Sequence, residues 1–395
     1  MDDSVKKICV IGNFSGRNAG DAAILGSLLE DITKQYRNLL FLIPTVNPKF
    51  VYKHYSNYPI KPIPLMPWNL SLKILGLPIF NSVLCSDLVL VTDAILFDLN
   101  LFNPLFNYLS TMALVLPLAK KRGIPVVLYN VSLGPISSKA GKICLRRVID
   151  SSEIIIVRDT ESIAILKNTQ IIRPDIKVGS DCALNVTPAN SNKLDAIIRK
   201  ESLQFNGQGT ITFNVNSYID VFVRGNKRAI GIENFSNLIS ASIDKIVEEL
   251  KVNILFVITQ PMDFKITKKV ILKIKNRDRI RLVTNVNYNY QELAGLFSRA
   301  DIHVGMRTHS LILASSVNTP IVGIIATPKN RGYMQSIKQD QRMVEFKDLT
   351  VERLVDVVKS TWVQREHIRK SLKRIIETEK AKARNSALLL TPYLN

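Results

Sequence analysis

Short, nearly unbroken apolar runs alternate along this chain with longer stretches in which apolar residues recur every three or four positions. The first run, Lys7 to Gly12 (K-I-C-V-I-G), reads as a buried strand, and Asp21 to Ile32 follows with helical spacing. Leu39 to Ile43 is the next strand. After an interruption the alternation resumes with strand Asp87 to Thr92, helix Asn103 to Arg122, strand Pro125 to Asn130 and helix Lys139 to Ser151. Strand Glu153 to Val157, helix Thr160 to Lys167 and a short strand ending at Val178 complete the series. Strands separated by helical spans predict a parallel, doubly wound sheet.

Residues Val186 to Gln208, with P-A-N-S-N and N-G-Q-G, read as the crossing into a second unit. There the pattern repeats: strand Thr210 to Val215, helix Phe235 to Leu250, strand Asn253 to Thr259, helix Ile266 to Asn276, strand Arg281 to Val283 and helix Tyr290 to Ser298. Ala300 to Ile325 comes next. Its apolar run ends in Gly305, Arg307 and His309 follow two residues apart, and Leu311 to Val317 continues with helical spacing, giving strand, turn and helix. The expected organisation is therefore two Rossmann-like α/β domains, 1–190 and 205–350, facing a cleft, followed by a basic helical tail, 351–395, whose helix runs from Val351 to Ala381.

The interruption, Pro44 to Phe80, gathers prolines and aromatics, Trp68 among them, and reads as an excursion with one short helix. It is expected to pack as a lid, with a membrane-touching patch beside Lys61 and Lys73 as the other reading.

Composition narrows the class. At 395 residues, with 46% apolar and 22% charged positions, the chain is globular and long enough for two cores. Its 53 Lys and Arg against 33 Asp and Glu leave a formal charge of +20, which favours acidic partners: nucleic acid, an anionic membrane face or a phosphorylated substrate. Cys9, Cys85, Cys144 and Cys182 form no C-x-x-C pair and read as reduced, buried thiols. The start, M-D-D-S-V-K-K, lacks the pattern of a secretory signal, and the apolar stretches near Leu70 to Leu84 and Leu105 to Ala119 are too broken to span a bilayer. A cytoplasmic protein is expected. The basic run R-E-H-I-R-K-S-L-K-R in the tail reads as a solvated helix face or as peripheral docking on anionic lipid at the inner membrane face.

Candidate chemistry sits where strands end and helices begin, the edge at which open α/β sheets bind ligands. Arg158 follows the strand I-I-I-V, Asp181 follows the strand ending at Val178, and Arg307 with His309 opens the helix after Gly305. In the first loop, G-N-F-S-G-R-N-A-G-D, the glycines Gly12, Gly16 and Gly20 do not match G-x-G-x-x-G, and no G-K-[ST] follows, so dinucleotide and P-loop assignments are weak. What remains is Asn13 and Asp21 beside a helix start, Asp21 reading either as a cap or as a functional carboxylate. His54, His303, His309 and His367 lack the spacing of a metal ligand set, and His303 reads as a core residue. There is no G-x-S-x-G elbow. Guanidinium forks suit carboxylate and phosphate, so Arg158, Arg307 and Lys329 fit a small ligand with two anions, and His309 can move a proton near neutrality. The residues point to proton-transfer chemistry on a phosphorylated acid.

The segments G-D-A-A-I-L, V-R-D-T-E-S-I-A-I-L, V-G-S-D-C-A and G-M-R-T-H-S-L-I-L-A-S-S-V-N-T-P-I-V-G-I, followed by P-K, resemble in order the polysaccharide pyruvyl transferase family. The first loop is longer than the family's usual G-N-x-G-D, and Cys-Ala follows Asp181 where Pro-Ala is commoner. The resemblance implies a GT-B-like pair of domains that moves the enolpyruvyl carbons of phosphoenolpyruvate onto a sugar as a ketal, with no cofactor. It implies that Arg307 and Arg158 clamp carboxylate and phosphate, that Lys329 offsets charge on the departing phosphate, and that His309 shuttles protons. Asp21 or Asp181 would deprotonate the acceptor hydroxyl, with Asn13 and Gly20 also lining the substrate site. The implied partners are phosphoenolpyruvate and a sugar or lipid-linked glycan, with no nucleic acid. The competing readings are a GT-B glycosyltransferase using a nucleotide sugar and a non-catalytic basic module that binds nucleic acid or a membrane.

Overall fold

Val, Ile and Leu dominate the short runs, and β-branched side chains buried on both faces are what a parallel sheet covered by helices requires. A computed structural model describes residues 5–65, 77–101, 108–171, 173, 175–205, 207–219 and 230–395. In it the chain folds as two compact units. The first holds residues up to Gly16, Ile24–Asn185 and Glu379–Asn395; the second holds Arg17–Ala23 and Val186–Thr378.

In chain order the first sheet is built from β1 (Lys6–Ile11), β2 (Leu39–Thr45), β3 (Ile60–Pro64), β4 (Leu88–Val91), β5 (Val126–Val131), β6 (Ile154–Val157) and β7 (Ile176–Val178). Among the described residues the helices between them are α1 (Ala19–Thr33), α2 (Pro48–Tyr55), α3 (Leu77–Leu84), α4 (Tyr108–Lys121), α5 (Lys139–Asp150) and α6 (Thr160–Asn168). All seven strands are parallel in the order β3-β2-β1-β4-β5-β6-β7. Winding goes outward from β1 in one direction and from β4 in the other, so the switch point lies between them. Val89, Val91, Val126 and Leu128 meet Leu109, Leu116, Leu145 and Val148 in one continuous core.

The second unit repeats this with α7 (Ser191–Lys200), β8 (Thr210–Asn214), α8 (Ile232–Leu250), β9 (Asn253–Ile258), α9 (Phe264–Lys273), β10 (Ile280–Thr284), α10 (Tyr290–Ser298) and β11 (Ile302–Gly305). Then come α11 (Thr308–Ser316), β12 (Ile321–Ile325), α12 (Pro328–Ser336) and β13 (Met343–Glu345). The sheet order is β10-β9-β8-β11-β12-β13, again parallel, with its switch point between β8 and β11. A 38-residue helix, α13 (Val351–Leu388), and a short α14 (Thr391–Leu394) end the chain.

Four expectations are corrected. The excursion after Pro44 is shorter than its prolines suggested, because α2 starts on Pro48 with Asn47 as its cap, and β3 adds Pro62 and Pro64 to the sheet edge, where a missing N–H costs little. Trp68 and Lys73, placed in a lid or membrane patch, fall outside the described residues. The crossing after Val186 contains a helix, α7, capped by Asn190. The helix from Val351 does not stand apart as a tail: Leu354, Val355 and Val358 enter the second unit's core, and Tyr36 in the first unit donates its hydroxyl to the Ala387 carbonyl (3.0 Å). The basic run keeps a solvated face, with Glu366, Lys370, Lys373 and Arg374 exposed and Ile368 and Leu372 buried. Of the four thiols, Cys9 and Cys182 are buried, whereas Cys85 is exposed and Cys144 half-buried.

Candidate functional site

The second unit's switch point gathers the polar groups. Asn214, the last residue of β8, donates its amide to the Val257 carbonyl (2.8 Å) and accepts the backbone N–H of Arg307 (3.2 Å), which ties the ends of β8, β9 and β11 together. Arg307 occupies the cap position of α11 without a side-chain capping bond. Its guanidinium turns instead to Asp263, donating from Nε (2.8 Å) and a terminal nitrogen (2.7 Å), while lying 5.0 Å from the Tyr218 ring centre. Asp263 is completely buried and also accepts the Ser217 N–H (2.9 Å). A bidentate fork of this kind fixes the guanidinium plane and leaves its remaining N–H groups for a ligand.

Beside Arg307, two helix starts are held together by one side chain. Buried Asn330 accepts the hydroxyls of Thr308 and Thr327, both at 2.7 Å, and donates to the Met306 carbonyl. Thr308 opens α11 and Thr327 caps α12, so both helices begin at the carboxyl ends of β11 and β12. Their first-turn N–H groups and dipoles favour anions there. Lys329, half-buried, is the second residue of α12.

His309 lies in the first turn of α11, with its Nδ1 3.9 Å from the Asp21 carboxylate, and both side chains are largely buried. Asp21 reaches this place because residues 17–23 pack with the second unit: the Ala19 N–H donates to the Thr259 carbonyl (2.9 Å) and Asn285 donates to the Arg17 carbonyl (3.0 Å). Asn18, rather than Asp21, supplies the acceptor at the start of α1, taking the Gly20 N–H (2.9 Å) and donating to Asp21 (2.7 Å). Asp21 is therefore held, not spent as a cap. Gly20 packs against the His309 ring so closely that a methyl there would overlap Cβ, Cγ and Nδ1. Gly20→Ala should push the imidazole out of position and cut turnover roughly 10- to 100-fold, the cost of about an ångström of misplacement, with a loss of about 1–3 kcal/mol of stability, because the overlap reaches the root of the side chain. A kinetic assay beside a thermal melt checks this.

His303, on β11, is fully buried between Thr212 and Ser310, each at 3.0 Å from a ring nitrogen, and it is a core residue as expected. A Cβ on Gly305 would lie 2.6 Å from both His303 Nε2 and Ser310 Oγ, so this strand end admits only glycine. Burial lowers the His303 pKa to about 3 from the ordinary 6.5. Between those values the unfolded chain binds a proton that the folded one does not. This stabilisation is complete above pH 6.5 and is lost as pH falls toward 3. Urea unfolding should show the protein weaker at pH 4.5 than at pH 7 by about 2–3 kcal/mol from this group.

In the first unit, Arg158 stands after β6 and Asp181 after β7. They form a buried ion pair, 2.7 Å between Arg158 Nη1 and Asp181 Oδ2. Burial works against the Arg158 charge, but the carboxylates of Asp181, Asp93 and Asp159 outweigh it and raise its pKa. Asp159 caps α6 by accepting the Ser162 N–H (2.8 Å), and Asp181 accepts the Ala183 N–H (2.9 Å). Asn13 follows β1 as an exposed loop residue.

Asp263, Asn214 and Asn330 were not singled out from sequence. The rule that selected Arg158 and Arg307, a polar residue just past a strand's carboxyl end, also selects Asn214 after Phe213 and Asp263 in Q-P-M-D after β9.

Comparison with protein families gives one decisive match: the polysaccharide pyruvyl transferase model covers residues 18–326. The chain belongs to the polysaccharide pyruvyl transferase family. The family match begins within the segment that carries Gly20 and Asp21 and ends just past β12. Among solved structures this family member is similar to the UDP-GlcNAc 2-epimerase of Neisseria meningitidis bound to UDP-GlcNAc, with 15% identity, TM-score 0.66 and coverage of 98% of this chain and 99% of that one. It is similar to HepE of Anabaena in complex with UDP-glucose (14%, TM-score 0.63, 98% and 99%) and to the ADP-heptose LPS heptosyltransferase II of E. coli (12%, TM-score 0.50, 91% and 99%). At these identities the likeness concerns the fold, which is GT-B-like in both sheets. No curated protein sequence matches the chain.

Proposed function

We propose that this polysaccharide pyruvyl transferase family member moves the pyruvyl group of phosphoenolpyruvate onto two hydroxyls of a sugar as a ketal. The observation that carries the reading is the pairing of a proton carrier with an anion seat inside one unit: His309 beside Asp21, and Arg307 beside the twin starts of α11 and α12. The donor's carboxylate and phosphate take the free N–H groups of Arg307, the first-turn amides and Lys329. His309 protonates the methylene carbon, leaving an oxocarbenium-like centre at the neighbouring carbon. One sugar hydroxyl attacks, its proton passing to the base; the carbon–oxygen bond to phosphate breaks, with Lys329 offsetting the charge of the leaving group; the second hydroxyl closes the ketal, its proton returning to His309.

Asp21 is assigned the supporting base role over Asp181, because Asp181 is committed to the buried Arg158 as its counter-charge, whereas Asp21 lies beside the imidazole. No described helix is long and apolar enough to cross a membrane. A cytoplasmic enzyme acting on a free or lipid-linked glycan fits the donor, which is a cytoplasmic metabolite.

The test is incubation of the purified protein with phosphoenolpyruvate and a panel of nitrophenyl or lipid-linked sugars, following phosphate release and the mass gain of the acceptor. Phosphate released only with acceptor present, and a ketal on that acceptor, supports the proposal. Release of UDP from UDP-GlcNAc or UDP-glucose, the ligands of the similar structures, with phosphoenolpyruvate inert, replaces it with a nucleotide-sugar reaction.

A further inference from the structure

The first unit carries an outward face that its own packing does not account for. Helices α4 and α5 lie over the first sheet, with Leu109, Met112 and Leu116 of one and Leu145, Val148 and Ile149 of the other turned into the core. Their outer sides are not uniformly polar. On α4, Leu114 and Leu118 are 56% and 43% exposed, with exposed Lys121 a turn further on. On α5, Ile143 is 61% exposed, with exposed Lys139 one turn before it and Arg147 one turn after.

These side chains share one surface. Both helices connect neighbouring parallel strands and so run in the same direction. The ammonium of Lys120 donates to the Asp150 carbonyl (2.6 Å), which sets their carboxyl ends side by side. Counting back six residues from Lys120 and seven from Asp150, at about 1.5 Å per residue, brings Leu114 and Ile143 to the same level. Arg147 falls beside Leu118 in the same way. The charge is one-sided: across the two helices two plus four Lys and Arg stand against a single acid, Asp150.

We propose that the outer face of α4 and α5 docks this protein on an anionic lipid bilayer, the three aliphatic side chains entering the boundary between headgroups and acyl chains while Lys121, Lys139, Lys142 and Arg147 meet lipid phosphates. A cationic rim around an aliphatic centre is what an interfacial helix face requires. Nucleic acid would be met by the cations alone and would leave Leu114, Leu118 and Ile143 in water, since a phosphate backbone offers them nothing. The bilayer satisfies both halves of the surface.

The experiment is co-sedimentation of the full-length protein with sucrose-loaded vesicles of phosphatidylcholine, or of equal parts phosphatidylcholine and phosphatidylglycerol. It needs neither donor nor acceptor, so its outcome is independent of the reaction proposed above. Binding to the anionic vesicles is expected, weaker at high salt and weak to phosphatidylcholine alone. Leu118→Glu with Ile143→Glu, and separately Lys142→Glu with Arg147→Glu, should each lower partitioning about tenfold or more. All four positions are exposed, so thermal melts should be unchanged. No binding to anionic vesicles, or binding untouched by both pairs, overturns the proposal. So does tight binding of a single-stranded RNA homopolymer that the charge pair abolishes while vesicles are ignored.

Discussion

His309→Ala is expected to lower the turnover of phosphoenolpyruvate by about 10²- to 10⁴-fold, the usual contribution of a positioned proton donor, while the protein keeps its fold. The ring is the only group in the first turn of α11 with an imidazole's capacity both to hold and to release a proton, and Asp21, 3.9 Å away, can orient it. The ring is largely buried, 13% exposed, so its loss should cost about 1 kcal/mol, as a typical point substitution does, and a thermal melt separates that from the loss of turnover. Measured as kcat for phosphate release with a saturating donor, near-normal turnover in the alanine variant removes His309 from the chemistry. Asp21→Asn, which keeps the hydrogen bond from Asn18 but not the charge, should fall between the two.

Asp263→Ala is expected to destabilise the second unit by about 3–5 kcal/mol, the cost of stranding one partner of a buried ion pair. The carboxylate is completely buried and takes three donors: two from Arg307 and the Ser217 N–H. Removing it leaves a guanidinium in a site only 14% open to water, with Ser217 also deprived of its acceptor. The loss should exceed that of most surface changes by several-fold. Adding Arg307→Met to the variant should recover part of it, since no charge is then left unpaired. Urea denaturation of the wild type, both single variants and the double variant reads the coupling directly, and strictly additive losses would sink the pairing. Activity should fall in every variant, because the fork that aims Arg307 is gone.

Much of this was legible in the amino-acid order, because buried parallel strands have to be continuous apolar runs. β6, β9 and β11 were placed to within a residue or two, and α10 to the residue, its Asn289 and Glu292 forming a capping box. His303 was recognisable as a core group since it interrupts an apolar strand. What escaped has a common cause. β3 is disguised by Pro62 and Pro64, which only an edge tolerates, and α7 by the Ser and Asn residues that cap it. The partners of the two arginines are 44 positions apart in one case and on a different strand end in the other, so sequence counted free cations where folding makes pairs. Likewise the proximity of Gly20 and Asp21 to His309 depends on residues 17–23 packing with the second unit, which no local pattern announces.

The closing helix has a consequence for how the protein is made. Residues 379–395 complete the first unit, with Ser386 donating to Asn130 (2.9 Å) and the Tyr36 hydroxyl bonded to Ala387 and Thr391, yet they are translated after the whole of the second unit. A nascent chain leaving the ribosome can therefore assemble its second half before its first is finished, reversing the customary amino-to-carboxyl order of maturation. A fragment cut at residue 185 should emerge as an aggregation-prone intermediate, and supplying the missing helix end in trans should rescue it.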